Sequence, residues 1–219
     1  MSAAAVLFDL DGLLLDSEPV WYDVETAVVT RLGGVWGPEH QAACIGGTLD
    51  ASCRYILELT ASDLSVEQLS DVLLEEMAAH FRSSLPLHDG ALELVDAVRA
   101  AGVPTALVSS SYRVLIDAAL ELLGAHRFDV SVAGDEISRG KPDPEPYLTA
   151  CARLGVEPRQ CVVLEDAVNG VRSAEAAGCI VVAVPSVTPI EPTSMRPVVA
   201  ALAEIDAAWL LRLPALTRR

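Results

Sequence analysis

Five short apolar runs, at residues 4–8, 104–108, 130–133, 161–164 and 180–184, punctuate the chain, and a sixth candidate lies at 198–202. Each has the length of a strand, and from residue 89 onward the stretches between them carry apolar positions at helical spacing. The helical stretches 89–101, 112–123, 145–154 and 167–177 are each followed by a glycine, at Gly102, Gly124, Gly155 and Gly178. A glycine there closes a helix by turning left-handed. Strands alternating with helices in this way predict an α/β fold whose parallel sheet is covered by helices on both faces.

One stretch breaks the alternation. After the first strand roughly seventy residues pass without a strand signal, and the pattern reads as purely helical. Val20, Val24, Val28 and Leu32 share one face of a helix that opens near Ser17-Glu18-Pro19 and stops at Gly33-Gly34. A second helix is expected over 48–59. A third opens at Ser65 with Gln68 three residues on, the spacing of a capping box, and continues to Phe81. The expected organisation is a sheet-bearing core, residues 1–15 and 86–219, interrupted by a helical insert over 16–85.

Composition narrows the partners. The 219 residues are 52% hydrophobic and 21% charged, enough apolar surface for a folded globule. Fifteen basic against 31 acidic side chains leave a net charge of −16, which disfavours nucleic acid and anionic membrane surfaces as general partners. The five cysteines, Cys44, Cys53, Cys151, Cys161 and Cys179, are odd in number and lack metal or disulfide spacing, so they read as reduced core residues. With no basic, apolar leader and no run of membrane-spanning length, a cytoplasmic location is expected. Among the basic residues fourteen are arginines, and Lys141 is the single lysine.

In an open parallel sheet, ligands bind beyond the carboxyl ends of the strands. The first strand delivers Asp9-Leu10-Asp11-Gly12, two carboxylates with a glycine to turn the chain. The second delivers Ser109-Ser110-Ser111 at a helix start; Arg139-Gly140-Lys141-Pro142 follows the third, and Glu165-Asp166 ends the fourth. Clustered carboxylates with oxygen-only donors favour Mg²⁺. A hydroxyl and free amides at a helix start bind phosphate oxygens, and an ammonium screens an attacking carboxylate from an anionic phosphate. Asp9 at the strand end is positioned to attack phosphorus, and Asp11, past the turn, to protonate the ester oxygen. Each residue alone has a plainer reading as a cap, a turn former or a solvated loop charge. The coincidence of all four groups at strand ends, the lone lysine among them, favours phosphoryl transfer.

At these positions the chain resembles the haloacid dehalogenase superfamily, in its β-phosphoglucomutase-like branch. The run from Asp9 to Pro19, the segment Ala106-Leu107-Val108-Ser109, Lys141-Pro142-Asp143-Pro144 and the run from Leu164 to Gly170 look like that family's four motifs. The resemblance implies a Rossmann-like core with an inserted α-helical cap. It further implies that Asp9 forms an aspartyl-phosphate and that Asp11 is the general acid and base. Ser109, the Ser110 amide and Lys141 would hold the phosphate. Mg²⁺ would be bound by Asp9, the Asp11 carbonyl and Asp166, with Glu165 directly or through water and Asn169 orienting the acidic loop. The implied partner is a small phosphorylated metabolite; no oligomeric state is implied.

Within that family Asp11 and Asp166 argue against carbon–halogen cleavage, and a lysine-free insert argues against imine chemistry on a phosphonate aldehyde. Where the phosphosugar mutase branch has a cap histidine this chain has Trp21, and where it has a cap arginine the loop 45–49 offers Thr48 and Leu49. Water is therefore the expected acceptor, and Trp21 and Thr48 are the substrate-facing candidates of the cap; the run Asp16-Ser17-Glu18-Pro19 with Trp21 resembles sugar- and polyol-phosphate phosphatases, which implies a sugar or polyol phosphate as substrate. A phosphosugar mutase is the alternative. A receiver-like phosphoacceptor module is disfavoured because its acceptor would sit on the third strand. Trp36 and the histidines His40, His80, His88 and His126 show no ligand spacing.

Overall fold

Strand β1 (Ala5–Phe8) is the centre of a five-stranded parallel sheet in the computed structural model, which describes residues 2–45, 47–84 and 86–216. Gly46, in the loop 45–49, and Leu85, the last residue of the expected insert, lie outside the described residues. β2 (Thr105–Val108) and then β3 (Val130–Val132) flank β1 on one side; β4 (Cys161–Glu165) and then β5 (Ile180–Ala183) flank it on the other. Every residue of β1, β2, β4 and β5 is buried, as parallel strands covered on both faces must be.

Register decides what the sheet presents at its carboxyl edge. Phe8 pairs with Leu107 of β2 and with Leu164 of β4, so Asp9, Val108 and Glu165 follow at one level. The strand order reverses at β1, which is where a crevice opens in a doubly wound sheet. The acidic motifs therefore emerge side by side at the switch point.

The chain divides into two compact units, Met1–Asp16 with Pro86–Arg219, and Ser17–Leu85. The second holds α1 (Glu18–Arg31), α2 (Pro38–Cys44), α3 (Leu49–Thr60) and α4 (Val66–Ser83). Thr48 caps α3 by accepting from the Ala51 amide, and Ser65 and Gln68 close a reciprocal capping box on α4. The short helix α2 has no counterpart in the sequence pattern: it follows Gly37, starts at a proline and buries none of its residues, so it shows no apolar stripe.

In the first unit α5 (Ala91–Ala100), α6 (Arg113–Leu123), α7 (Glu145–Leu154) and α8 (Val168–Ala176) fall where the periodicity puts them. The expected sixth strand is corrected. Residues 198–202 make a single bridge, Val198 to Ala183, and the chain then turns and continues into α9 (Ala207–Leu216). Val198 and Val199 are β-branched, but the two alanines that follow add no strand preference and the chain turns at Leu202, so pairing stops after one bridge. Cys53, Cys151, Cys161 and Cys179 are free and buried, and Cys44 is half-buried. Among the described residues no helix is long and apolar enough to cross a membrane.

Candidate active site

Asp9 leaves β1 with its amide still bonded to the Leu164 carbonyl of β4, so its side chain is aimed by the sheet itself. The carboxylate is buried and its Oδ1 accepts from Lys141 Nζ at 2.5 Å. Oδ2 receives no hydrogen bond among the described residues. Lys141 Nζ also donates to Glu165 Oε1 at 2.6 Å and to the Val108 carbonyl at 3.0 Å. Three acceptors at the ends of β1, β2 and β4 thus take up the three protons of the chain's only lysine.

Asp11 lies two residues on, past the β1 end. Its Oδ2 accepts from the hydroxyls of Ser109 at 3.0 Å and Ser111 at 2.7 Å, while its buried Oδ1 has no partner. The Ser109 hydroxyl in turn accepts from the Ser111 amide, a local turn that shapes the entry to α6. Ser110, between them, is exposed.

Beyond β4, Asp166 is buried and its Oδ2 accepts from the Ser186 hydroxyl in the loop after β5. Gly12 turns with φ +86°, and the space a Cβ would need there is filled by Asp166 Oδ2. Glycine at this position lets the β1 loop and the β4 loop touch backbone to carboxylate. Asn169, expected to orient the acidic loop, stands exposed on the first turn of α8 with no side-chain hydrogen bond to Glu165 or Asp166 among the described residues. Trp21 is half-buried on α1, and Thr48 is exposed at the head of α3.

The electrostatics are those of an anionic pit. Carboxylate oxygens of Asp9, Glu165 and Asp166 lie within 4.8 Å of one another, all three residues buried. Burial pushes the Asp9 carboxyl well above the usual carboxylate range; Lys141 opposes this, and Glu165, Asp166 and Asp11 add to it. Asp166 is pushed to about 6 by burial and by Glu165. Burial works against the Lys141 ammonium, yet Asp9 and Glu165 outweigh it and raise the pKa above that of an ordinary lysine. One cation facing three buried carboxylates leaves uncompensated negative charge, and the donors are all oxygen. Such a set fits a hard divalent cation of the Mg²⁺ kind.

Three residues of this site were not legible as such in the sequence: Ser111, Ser186 and Tyr147. Ser111 belongs to the serine run singled out after the second strand, and its spacing from Ser109 was the available signal. Ser186 follows the fifth strand's carboxyl end and could have been found by reading that end as well. Tyr147 lies inside α7 and donates its hydroxyl to Glu165 Oε1 at 2.5 Å.

Comparison with known proteins places the chain in one family. A family model described as haloacid dehalogenase-like hydrolase matches residues 3–178. The chain is 33% identical over 188 residues to a bifunctional riboflavin kinase/FMN phosphatase of Arabidopsis thaliana, covering 84% of this chain but 49% of that protein, about half its length. It is 34% identical over 193 residues to hexitol phosphatase A of Escherichia coli, covering 86% of this chain and 87% of that one. Among solved structures it resembles CbbY from Rhodobacter sphaeroides in complex with phosphate, with a TM-score of 0.82, 25% identity, and coverage of 92% of this chain and 96% of that one.

Proposed function

The chain belongs to the haloacid dehalogenase-like hydrolases and is a phosphatase of that family, and we propose that it hydrolyses a small soluble sugar or polyol phosphate by way of an aspartyl-phosphate on Asp9. The observation that carries this reading is the division of the two aspartates. Asp9 is buried with one oxygen fixed on Lys141 and the other unbonded, while Asp11 has one oxygen fixed on two hydroxyls and the other orphaned. A nucleophile and an acid need different free oxygens, and each residue has one.

In the first half-reaction Asp9 Oδ2 attacks phosphorus and the ester P–O bond breaks. The leaving oxygen takes the proton from Asp11 Oδ1, the oxygen opposite the one that accepts from Ser109 and Ser111. In the second half, Asp11 Oδ1 removes a proton from water, the water oxygen attacks phosphorus, and the acyl–phosphate bond breaks to release phosphate and regenerate Asp9. Lys141 offsets the charge between Asp9 and the phosphate; with substrate bound, the hydroxyl of Ser109 and Lys141 would turn a proton from their present acceptors, Asp11 Oδ2 and one of the three around Nζ, to the phosphate oxygens, beside the Ser110 amide.

The residues that would hold Mg²⁺ are Asp9, the Asp11 carbonyl and Asp166, with Glu165 in or next to that set. Such an ion supplies positive charge that lets the carboxylates coexist and draws electron density from the transferring phosphoryl group. In this reading the unit Ser17–Leu85 is the cap and selects the substrate, and Trp21 and Thr48 are its candidate contacts. The hexitol phosphatase relative supports the polyol class.

A panel of hexose, pentose and hexitol phosphates, assayed for inorganic phosphate with and without Mg²⁺ and excess chelator, tests the reading. Release from at least one such ester that stops in chelator is expected. Release that is indifferent to chelator would contradict the cation's part, and no release from any ester would contradict the substrate class.

A further inference from the structure

Glu165 accepts more hydrogen bonds than any other carboxylate of the site among the described residues. It is wholly buried, and both its oxygens are engaged: Oε1 by Lys141 Nζ at 2.6 Å and Tyr147 OH at 2.5 Å, Oε2 by the Asp166 amide at 3.2 Å and the Ala167 amide at 3.5 Å. Gly170 on α8 closes the remaining side, since a Cβ there would fall within the Glu165 carboxylate. A carboxylate with four donors on its two oxygens and helix backbone against its face has one orientation.

Tyr147 donates to the same Glu165 oxygen that faces the lysine. Its ring is also fully buried, and Lys141 Nζ stands 5.1 Å from the ring centroid. The same side chain therefore touches the ammonium through its π face and the ammonium's counter-ion through its hydroxyl. We propose that Tyr147 is a positioning residue for Lys141: its hydroxyl pins Glu165 Oε1 and its ring floors the ammonium, so that Nζ is held on Asp9 Oδ1. In the same arrangement Glu165 also serves as the anchor of Lys141.

The plainer reading is that a buried tyrosine hydroxyl has met the nearest acceptor. That reading accounts for the hydrogen bond alone. It predicts that losing the hydroxyl disturbs packing and leaves the ammonium where it was, because a phenylalanine ring fills the same space.

The proposal rests on the phosphatase reading only for the catalytic worth of Lys141; the placement of the ammonium can be measured without any substrate. Because Lys141 is the only lysine, protein grown on ¹⁵N,¹³C-lysine gives one side-chain NζH₃–Cε resonance set. In Tyr147→Phe that resonance should move by more than its linewidth and its protons should exchange faster with water, while the thermal midpoint stays within a few degrees. If turnover is measured as well, kcat should fall about tenfold, the worth of one hydrogen bond to a charged group, with KM within about twofold. Should Tyr147→Phe fail to fold, biosynthetic 3-fluorotyrosine makes the same hydroxyl a stronger donor without changing the fold, and the lysine resonance should move again. An unmoved lysine resonance in either protein would overturn the proposal. A moved resonance in a protein that hydrolyses no phosphate ester would leave it standing and contradict the functional reading instead.

Discussion

Lys141 Nζ stands 2.5 Å from Asp9 Oδ1 and 3.0 Å from the Val108 carbonyl, in contact with the ends of two adjacent strands at once. A compact ammonium with three protons meets three acceptors converging from different directions; a planar guanidinium with a fixed fork does not. Lys141→Arg is therefore expected to keep the charge and lose most of the activity, by about a hundredfold or more in kcat. Steady-state kinetics on the best ester of the panel checks this, with exposed Arg212→Lys as a control that should change nothing.

Gly170 touches the same network from behind. Gly170→Ala puts a methyl group where the Glu165 carboxylate lies, in a helix that cannot retreat from β4 without breaking its own packing. The cost expected of such overpacking is about 1–3 kcal/mol. It should appear as a lowered thermal midpoint together with a displaced lysine resonance.

A different carboxylate governs the pH response of stability in the helical unit. Glu25 on α1 is buried with Oε2 unpartnered, and burial first, then Glu18, push its pKa from 4.5 to about 7. Cys44 and Cys53 are its other titratable neighbours, their thiols raised by burial and so uncharged in this range. A group with a raised folded pKa holds its proton longer in the native state than in the unfolded one. Stability is then greatest below about pH 4.5 for this group, falls as pH rises towards 7 and is flat above. Glu25→Gln should gain on the wild type as pH rises through that window, by at most a few kcal/mol at the upper end. Denaturant melts of both proteins at intervals across the window test the sign.

In the proposed reading, the choice between water and a sugar hydroxyl as acceptor turns on α1, where Trp21 stands at the place for which the resemblance to the mutase branch implies a histidine. An indole supplies no acceptor for a second hydroxyl of the sugar. β-Glucose 1-phosphate given with a bisphosphate primer and Mg²⁺ should yield inorganic phosphate or nothing. A coupled dehydrogenase assay that registers rapid glucose 6-phosphate would make the protein a mutase acting through the same aspartates.

Much of this is legible in the sequence, because strand ends in a parallel sheet are local events. Asp9, Ser109 and Glu165-Asp166 each sit at or just past an apolar run, and Lys141, in the loop between β3 and α7, is marked by being the only lysine. Tyr147 was not legible, since inside α7 it reads as one more apolar position of a core-facing stripe, and only the pairing of β4 beside β1 brings Glu165 under its hydroxyl. Asn169, which only the resemblance implies as a support of the acidic loop, stands exposed on the first turn of α8. The sixth strand failed for want of more than one bridge, and α2 escaped because a helix that buries nothing leaves no periodicity to read.

The central claim is that Asp9 is the nucleophile, and the most direct measurement is turnover by Asp9→Asn. The variant keeps the size and nearly the shape of the side chain, so the fold should hold, as circular dichroism can verify. Loss of the nucleophile should lower kcat for phosphate release at least about a thousandfold. Hydrolysis at an undiminished rate by folded Asp9→Asn would contradict the account.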